Sequence, residues 1–231
     1  MPIAITPCSG NTKMAQAETD DGKLSVFVDL DETLVYQCAF EQHPMKEELE
    51  EKGIDHYKLS RLTANQINEI LPDGCKVFHG AGRLVAVRRR PYAKEFLGKL
   101  REMVGKLCCL TMGRTIHQRR VLEAAGLSQE FEVLVGREKY GALIPQKGRN
   151  WLLLDDLDPK DPTCTAKLNG LGVLSSRALR VMDMQTEEEI AGIRNRVIIV
   201  PAYNGKGDDD GLVRIWPEVE GKIRTFGRLM N

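Results

Sequence analysis

Residues 26–35 read Val-Phe-Val-Asp-Leu-Asp-Glu-Thr-Leu-Val, and they are the strongest structural signal in the chain. The first three residues are apolar and two of them are β-branched, which is typical of a short buried strand. Two acids, Asp29 and Asp31, follow the strand at once. Ligands of open parallel sheets gather at the carboxyl ends of the strands, so these acids mark a candidate site.

The remainder of the chain alternates short apolar runs with amphipathic stretches. Apolar runs indicate strands at 24–28, 106–111, 131–135, 151–154 and 197–200. Helices are predicted at 92–103 and 115–125, and a last helix at 212–223 is interrupted by Pro217. This alternation predicts an α/β, Rossmann-like fold, in which a mainly parallel central sheet carries helices on both faces.

The sequence predicts one domain over residues 23–231, preceded by a flexible polar tail at 1–22. Two insertions are expected, at about 36–88 and 157–196. The first combines an acidic helix, a second helix and a β-hairpin, predicted at 41–51, 60–71 and 75–87. The second is a long mixed segment with one helix predicted at 186–194.

Composition excludes several classes of function. The 33 acids balance 33 bases, which argues against general attraction to nucleic acid or to an anionic membrane. No stretch approaches the roughly 18 apolar residues of a membrane span, and the amino terminus does not resemble a secretory signal. The six cysteines form no CxxC pair, so an intracellular, cytoplasmic protein without a structural zinc is expected, or a nuclear one if eukaryotic.

Polar residues follow three of the predicted strands. They are Asp29 and Asp31 after the first, Thr111 after the second, and Asp155 with Asp156 after the strand at 151–154. A single aspartate in such a place commonly caps a helix, but that role does not explain two acidic pairs at two strand ends. Clustered carboxylates repel unless a cation relieves them, and Mg²⁺ prefers such oxygen ligands.

These residues resemble the motifs of the haloacid dehalogenase superfamily of phosphatases. The form Asp-Leu-Asp-Glu-Thr-Leu-Val at 29–35 is similar to its FCP/SCP branch, the phosphatases of the RNA polymerase II C-terminal domain. Further similarities follow in the order of that branch, at Arg90–Leu97, Leu110-Thr111, Gly136-Arg137-Glu138, Lys147, Leu154-Asp155-Asp156 and 209–217. The resemblance covers about 24–156 and 197–225.

The resemblance implies a mechanism with a covalent aspartyl-phosphate, which divides a very slow hydrolysis into two displacements. Asp29 would be the nucleophile, and Asp31 would protonate the leaving oxygen and then deprotonate water. Mg²⁺ would be held by the Asp29 carboxylate, the Asp31 carbonyl and Asp155. Asp156 and Thr33 would support these groups. Asp156 would do so either through a water on the metal or by orienting Lys147.

Three further residues would bind the substrate if the resemblance holds. Thr111 would donate to a phosphoryl oxygen, and Lys147 would neutralise its charge. Lys147 lies in a loop rich in glycine and proline, so Lys139 and Arg149 are alternatives. Arg137 would contact the substrate near the phosphate, and a plain surface arginine is the other interpretation.

The substrate is expected to be phosphoserine or phosphothreonine in a protein or peptide. Thr111 is followed by Met112-Gly113, where the branch usually has Ala-Ser, and the two insertions flank the expected cleft. A nucleic-acid 3′-phosphatase, a small-molecule phosphatase and a non-catalytic phosphate-binding scaffold are therefore the alternatives. Membrane partners are not expected, and the sequence does not indicate an oligomeric state.

Overall fold

A computed structural model of the chain describes residues 24–54, 56–80, 82–142, 150–159, 161–170 and 194–228. The predicted tail at 1–22 lies outside these residues, as does all but the last residue of the helix predicted at 186–194. Within the described residues, no helix combines the length and the apolar character that crossing a membrane requires.

The described residues form eight strands and seven α-helices. The strands are β1 (Ser25–Val28), β2 (Val35–Ala39), β3 (Cys75–Gly80), β4 (Arg83–Arg89), β5 (Lys106–Leu110), β6 (Val133–Val135), β7 (Trp151–Asp155) and β8 (Val197–Ile199). The helices are α1 (Pro44–Glu51), α2 (His56–Leu59), α3 (Ala64–Ile70), α4 (Ala93–Met103), α5 (Thr115–Ala125), α6 (Pro162–Gly170) and α7 (Gly211–Arg228).

Five strands form the predicted parallel sheet. Their order is β6-β5-β1-β7-β8, and every neighbouring pair is parallel. The strand at 25–28 lies at the centre, where Val28 pairs with Cys109 on one side and with Leu154 on the other. The predicted fold class is confirmed, and the centre of the sheet is the strand that precedes the first acidic pair.

Both faces of this sheet are buried, as a parallel sheet with helices on each side requires. Val26 and Val28 point into a core with residues of α4, α5 and α7. Phe27 points to the opposite face, where it packs with Cys164 and Leu168 of α6. Continuous apolar runs such as the one at 151–154 follow from this double burial.

The segment between the first two central strands forms a separate antiparallel sheet. Its order is β2-β4-β3, and the predicted hairpin is the β3–β4 pair. Helices α1, α2 and α3 cover one face of this sheet around Met45, Leu49, Leu59 and Ile67, all buried. The polar helices predicted at 41–51 and 60–71 therefore have an apolar face that packs on the hairpin.

The last helix runs through Pro217 without a break, so the predicted interruption is wrong. Proline inside a helix costs about 3 kcal/mol because it removes one hydrogen bond and crowds the carbonyl four residues earlier. That carbonyl belongs to Val213, an exposed residue, so water can satisfy it. The apolar face of α7, with Leu212, Val219 and Ile223, is buried on the sheet and stabilises the helix.

Candidate active site

Two neighbouring central strands place the first acidic pairs side by side. The backbone N–H of Asp29 donates to the carbonyl of Leu154 over 2.8 Å, which continues the ladder between β1 and β7 by one residue. Asp29 therefore lies beside Asp155, and both are buried, with 3% and 0% of their surfaces exposed. Two carboxylates buried together need a cation close by.

That cation is the ammonium group of Lys167, on α6. Its Nζ lies 2.8 Å from Oδ1 of Asp29 and 2.7 Å from Oδ2 of Asp155. Lys167 itself is 2% exposed, so all three charged groups are removed from water. Helix α6, which carries Lys167, packs through Cys164 and Leu168 on the face of the central sheet to which Phe27 points.

Burial and attraction act in opposite directions on these groups. Burial raises the pKa of Asp29 well above its usual range, and Lys167 opposes that rise. Burial raises the pKa of Asp155 as well, and Lys167 again opposes it. Burial alone would lower the pKa of Lys167, but attraction to the two carboxylates raises it above its ordinary value, so the ammonium stays charged.

A third carboxylate completes an oxygen-rich cluster. One oxygen from each of Asp29, Asp155 and Asp156 lies within 4.8 Å of the other two. The hydroxyl of Thr33 donates to Asp156 over 3.1 Å and to Asp29 over 3.4 Å, and it links the first strand end to the second. Three carboxylates at this spacing fit a hard divalent cation such as Mg²⁺.

Asp31 points away from this cluster and into a frame of amide donors. Nε2 of Gln118 donates to its Oδ2 over 2.7 Å, and Nε2 of Gln37 donates to its Oδ1. The hydroxyl of Thr111 donates to Oδ2 over 3.4 Å. Burial raises the pKa of Asp31, and the hydrogen bonds from Gln37 and Gln118 reduce that rise.

The two amides are themselves oriented by neighbours. Nε2 of Gln37 also donates to Oε1 of Gln118 over 3.2 Å, and its Oε1 lies 3.0 Å from Nε2 of His117. Gln37 comes from β2, whereas Gln118 and His117 come from the first turn and a half of α5. The antiparallel sheet and the central domain thus meet at the carboxylate of Asp31.

The predicted arginine-glutamate turn supports the start of α5. The carboxylate of Glu138 accepts the backbone N–H of Thr115 over 2.7 Å, and the N–H of Arg137 donates to the carbonyl of Gly113 over 3.1 Å. A side chain at Gly136 would come within 2.5 Å of the Thr115 nitrogen, so this close approach requires glycine. The side chain of Arg137 is exposed and points to the cleft beside Asp31.

That cleft has a volume of about 870 Å³. It is lined by residues of the antiparallel sheet, of the segment at 112–120 and by Arg137. Asp31 lines it, whereas Asp29, Asp155 and Lys167 do not. The cleft therefore approaches the site from the side of Asp31.

The architecture is shared with a known phosphatase. A structure of Fcp1, described as an essential RNA polymerase II CTD phosphatase, matches 89% of this chain with a TM-score of 0.50 and 14% identity. The match spans 63% of the Fcp1 chain, less than two thirds of it.

This chain shares the fold of that Fcp1 structure.

Two bacterial structures with a lower score also match. The haloacid dehalogenase domain of the effector Lem4 from Legionella pneumophila gives a TM-score of 0.45 at 14% identity over 89% of this chain and 99% of that one. A haloacid dehalogenase-like hydrolase from Streptococcus pneumoniae gives 0.36 at 12% identity over 77% and 93%. A scan of family models gives no match, and neither does a search of curated proteins.

The fold brings most of the predicted site residues together. The site contains the predicted residues from the ends of β1, β5 and β7, and Arg137 lies at its edge. These residues are Asp29, Asp31, Thr33, Thr111, Asp155 and Asp156. Lys147 and Arg149 lie outside the described residues, and Lys139 is exposed. The roles that the resemblance implies for these residues stay predictions.

Sequence reasoning missed Lys167 and the two glutamines. Lys167 lies in the segment interpreted as an insertion, 12 residues after Asp155, and its helix carries too weak an apolar stripe to stand out. The signal that could have found it is chemical, since two buried carboxylates require a cation from a nearby element. Gln37 and Gln118 carry no motif, and only the meeting of β2 with α5 brings them to Asp31.

Proposed function

We propose that this chain is a Mg²⁺-dependent phosphomonoesterase that forms an aspartyl-phosphate on Asp29. The observation that carries the proposal is the contact of Asp29 and Asp155 with one buried ammonium, that of Lys167, beside a third carboxylate. This arrangement offsets the negative charge of a carboxylate at a strand end, which would be the nucleophile. The fold shared with Fcp1, described as a CTD phosphatase, supports the same reaction class.

In the first step a carboxylate oxygen of Asp29 attacks phosphorus, and the bond from phosphorus to the leaving oxygen breaks. Asp31, in its protonated form, gives its proton to that oxygen as an alcohol leaves. Lys167 offsets negative charge on the transferred phosphoryl group, and Thr111 donates to one of its oxygens. Asp29, Asp155 and the carbonyl of Asp31 would hold the divalent cation, which would reduce the repulsion between nucleophile and phosphate.

In the second step Asp31, now ionised, takes a proton from water as the water oxygen attacks the phosphoryl group. The bond between phosphorus and Asp29 breaks, and inorganic phosphate leaves with the free carboxylate restored. Gln37 and Gln118 hold the Asp31 carboxylate in place through both steps, because each donates to a different oxygen. The hydroxyl of Thr33 contacts both Asp29 and Asp156, so Thr33 and Asp156 support the nucleophile and the cation ligands.

The substrate that we propose is phosphoserine or phosphothreonine in a protein or peptide. The motif form at 29–35 supports it, and so does the cleft, which admits a chain from the side of Asp31. The zero net charge gives no support to an extended nucleic acid as the main ligand. We further propose a single catalytic domain over 23–231 in an intracellular, cytoplasmic protein, which the cysteine pattern supports.

The test measures hydrolysis of an aryl phosphate, a phosphoserine peptide and a 3′-phosphorylated oligonucleotide, each with Mg²⁺ and with EDTA. We expect the peptide to be hydrolysed faster than the oligonucleotide, and EDTA to abolish both reactions. Asp29→Asn should lower kcat by at least about a hundredfold, because the covalent route is lost. Asp208→Asn, a change at an exposed acid, is the matched control.

Several results would contradict the proposal. Unchanged turnover in Asp29→Asn would exclude Asp29 as the nucleophile. Failure of the unaltered protein to hydrolyse even the aryl phosphate in Mg²⁺ would favour the phosphate-binding scaffold. Faster hydrolysis of the oligonucleotide would assign the chain to the nucleic-acid 3′-phosphatases.

A further inference from the structure

Four arginines line the cleft beside Asp31. They are Arg83 of β4, Arg114 directly before α5, Arg120 within α5, and Arg137 in the turn after β6. Asp31 and Glu32 are the acids among the residues that line it. Asp31 already accepts hydrogen bonds on both of its oxygens.

Among the described residues, none of these four guanidinium groups has a carboxylate partner, although Arg120 lies over the ring of Phe78 at 4.5 Å. Elsewhere in the described part of the chain, arginines are commonly paired, as Arg88 is with Glu48, Arg89 with Asp73 and Arg90 with Asp209. All four are exposed, so the cleft presents guanidinium groups that can bind an anion without breaking an existing ion pair.

The position of the cleft assigns it to one part of the substrate. Asp31 lines it, and Asp31 is the group that protonates the leaving oxygen in the proposed reaction. The transferred phosphoryl group belongs beside Asp29 and Lys167, neither of which lines the cleft. A cleft of about 870 Å³ is large for a phosphoryl group and lies within the range of pockets that hold whole ligands. It is therefore the place of the leaving group.

We propose that the arginine cleft binds a second anionic group of the substrate, on the leaving-group side of the phosphate. This inference rests on the proposed function and names its substrate class, an acidic phosphopeptide. The anion is the carboxylate or the second phosphate of a residue adjacent to the one that is dephosphorylated. Guanidinium groups suit both anions, because they bind them through two parallel hydrogen bonds.

The remaining lining favours a peptide over a nucleic acid. The apolar side chains in the cleft come from Val85, Met112 and Ile116. No Phe, Tyr or Trp is among the described lining residues, and the one ring there, that of His117, is hydrogen-bonded to Gln37. Proteins that bind single-stranded nucleic acid usually stack bases on such aromatic rings. Ile116 is 75% exposed at the entrance, which suits contact with an aliphatic peptide side chain.

The experiment compares two phosphoserine peptides of equal length, one with flanking glutamates and one with glutamines in their place. We expect kcat/KM to be higher for the acidic peptide, and to fall toward that of the neutral one as salt is raised. Arg83→Ala and Arg120→Ala should each reduce the acidic-to-neutral ratio by about two- to fivefold, as expected for one partly exposed ion pair. Arg119→Ala, on the same helix but outside the cleft, should leave the ratio unchanged.

Binding gives a readout that does not depend on turnover. Anisotropy of the same peptides, labelled and carrying a phosphonate in place of the phosphate, should show tighter binding of the acidic peptide and the same loss in the variants. Urea unfolding of each variant separates this loss from a folding defect. If the unaltered protein hydrolyses no substrate, the proposed function fails, and the difference in binding still decides the inference.

Two outcomes would overturn the inference. One is an acidic-to-neutral ratio near one in both turnover and binding. The other is a phosphorylated oligonucleotide that competes more strongly than the acidic peptide and loses that advantage in Arg83→Ala and Arg120→Ala, which would assign the arginines to nucleic acid.

Discussion

Lys167 shows how one side chain makes a pair of buried carboxylates tolerable. Its ammonium contacts both Asp29 and Asp155, at 2.8 and 2.7 Å. Removing one partner from such a buried group leaves uncompensated charge, which is strongly unfavourable. The same ammonium lies where a transferred phosphoryl group would need positive charge, so its structural and its proposed catalytic roles coincide.

We predict that Lys167→Met lowers kcat for an aryl phosphate by about a hundredfold or more, because a positive group beside the phosphoryl oxygens is lost. Steady-state kinetics measure this effect, and Mg²⁺ binding followed by calorimetry shows whether the carboxylates still hold the cation. Lys139→Met, a change at an exposed lysine near the site, is the control. If the control variant loses as much activity as Lys167→Met, the assignment to Lys167 is wrong.

Gln118 donates to Asp31 over 2.7 Å, so in the proposed reaction it would act through Asp31. We predict that Gln118→Leu slows hydrolysis of phosphoserine much more than that of an aryl phosphate with an acidic phenol. The reason is that a good leaving group needs little proton donation, so misplacing Asp31 affects it less. Rates for a series of leaving groups measure the difference, with Gln129→Leu, at an exposed position, as the control.

A uniform loss across the series of leaving groups would instead indicate a general disturbance of the site. Gln118→Asn keeps an amide on a shorter side chain. Relative to the unaltered protein, its rate with phosphoserine should stay further reduced than its rate with the aryl phosphate. The prediction therefore separates the placement of Asp31 from the stability of α5.

Among the elements, α1 begins at a buried histidine. Nδ1 of His43 accepts the backbone N–H of Met45 over 3.1 Å, so the neutral imidazole caps the helix and carries its proton on Nε2. Nε2 has no hydrogen-bond partner in the described part of the chain. Burial lowers the pKa of His43 from 6.5 to about 4, with Arg88 and Glu48 as charged neighbours.

We predict that His43 makes stability fall as pH falls from about 6.5 to 4. In that window the unfolded chain binds a proton on this histidine and the folded chain does not, so acid favours unfolding. The shift of about 2.5 units corresponds to a loss of about 3 kcal/mol. Urea unfolding at pH 7 and at pH 4.5 measures it.

His43→Asn keeps a side chain that caps helices well and removes the titration, so its stability should depend less on pH. His79→Asn, on the exposed face of β3, should behave as the unaltered protein does. Equal pH dependence in the two variants would show that the acid sensitivity arises elsewhere.

At the level of the whole molecule, one buried ion pair joins distant parts of the chain. Arg90 is fully buried, and its Nε lies 2.7 Å from Oδ1 of Asp209, just before α7. Its Nη1 donates to the carbonyl of Thr33 over 3.0 Å, in the loop of the first motif. The pair therefore holds the start of α4, the motif loop and the last helix in one arrangement.

We predict that Asp209→Ala lowers the free energy of unfolding by about 3 kcal/mol or more, because the buried charge of Arg90 then has no carboxylate partner. Asp210→Ala removes an exposed pair with Arg214 and should cost no more than about 0.5 kcal/mol. Urea denaturation of both variants gives the comparison. Similar losses in the two would mean that Arg90 finds another partner or reaches water.

Much of this architecture follows from local pattern. The continuous apolar runs at 26–28, 107–110 and 151–154 predict strands buried on both faces. Gly126, with φ of 67°, ends α5. The acidic pairs at Asp29 and Asp155 could be placed at strand ends for the same reason. Pro217 led to a wrong prediction. Proline usually breaks a helix, and the sequence does not show how much the packing of the apolar face of α7 stabilises it.

By itself the sequence determined the strands, the hairpin and the acids at the strand ends, since each depends on residues close together in the chain. The order of the strands in the central sheet came from the tertiary structure. Only the tertiary structure decided which cation meets Asp29 and Asp155, and which amides hold Asp31. Those partners lie on α6, β2 and α5. Lys167, which contacts Asp29, is 138 positions away from it in the chain. Electrostatic pairing depends on distance in space, and no local periodicity records it.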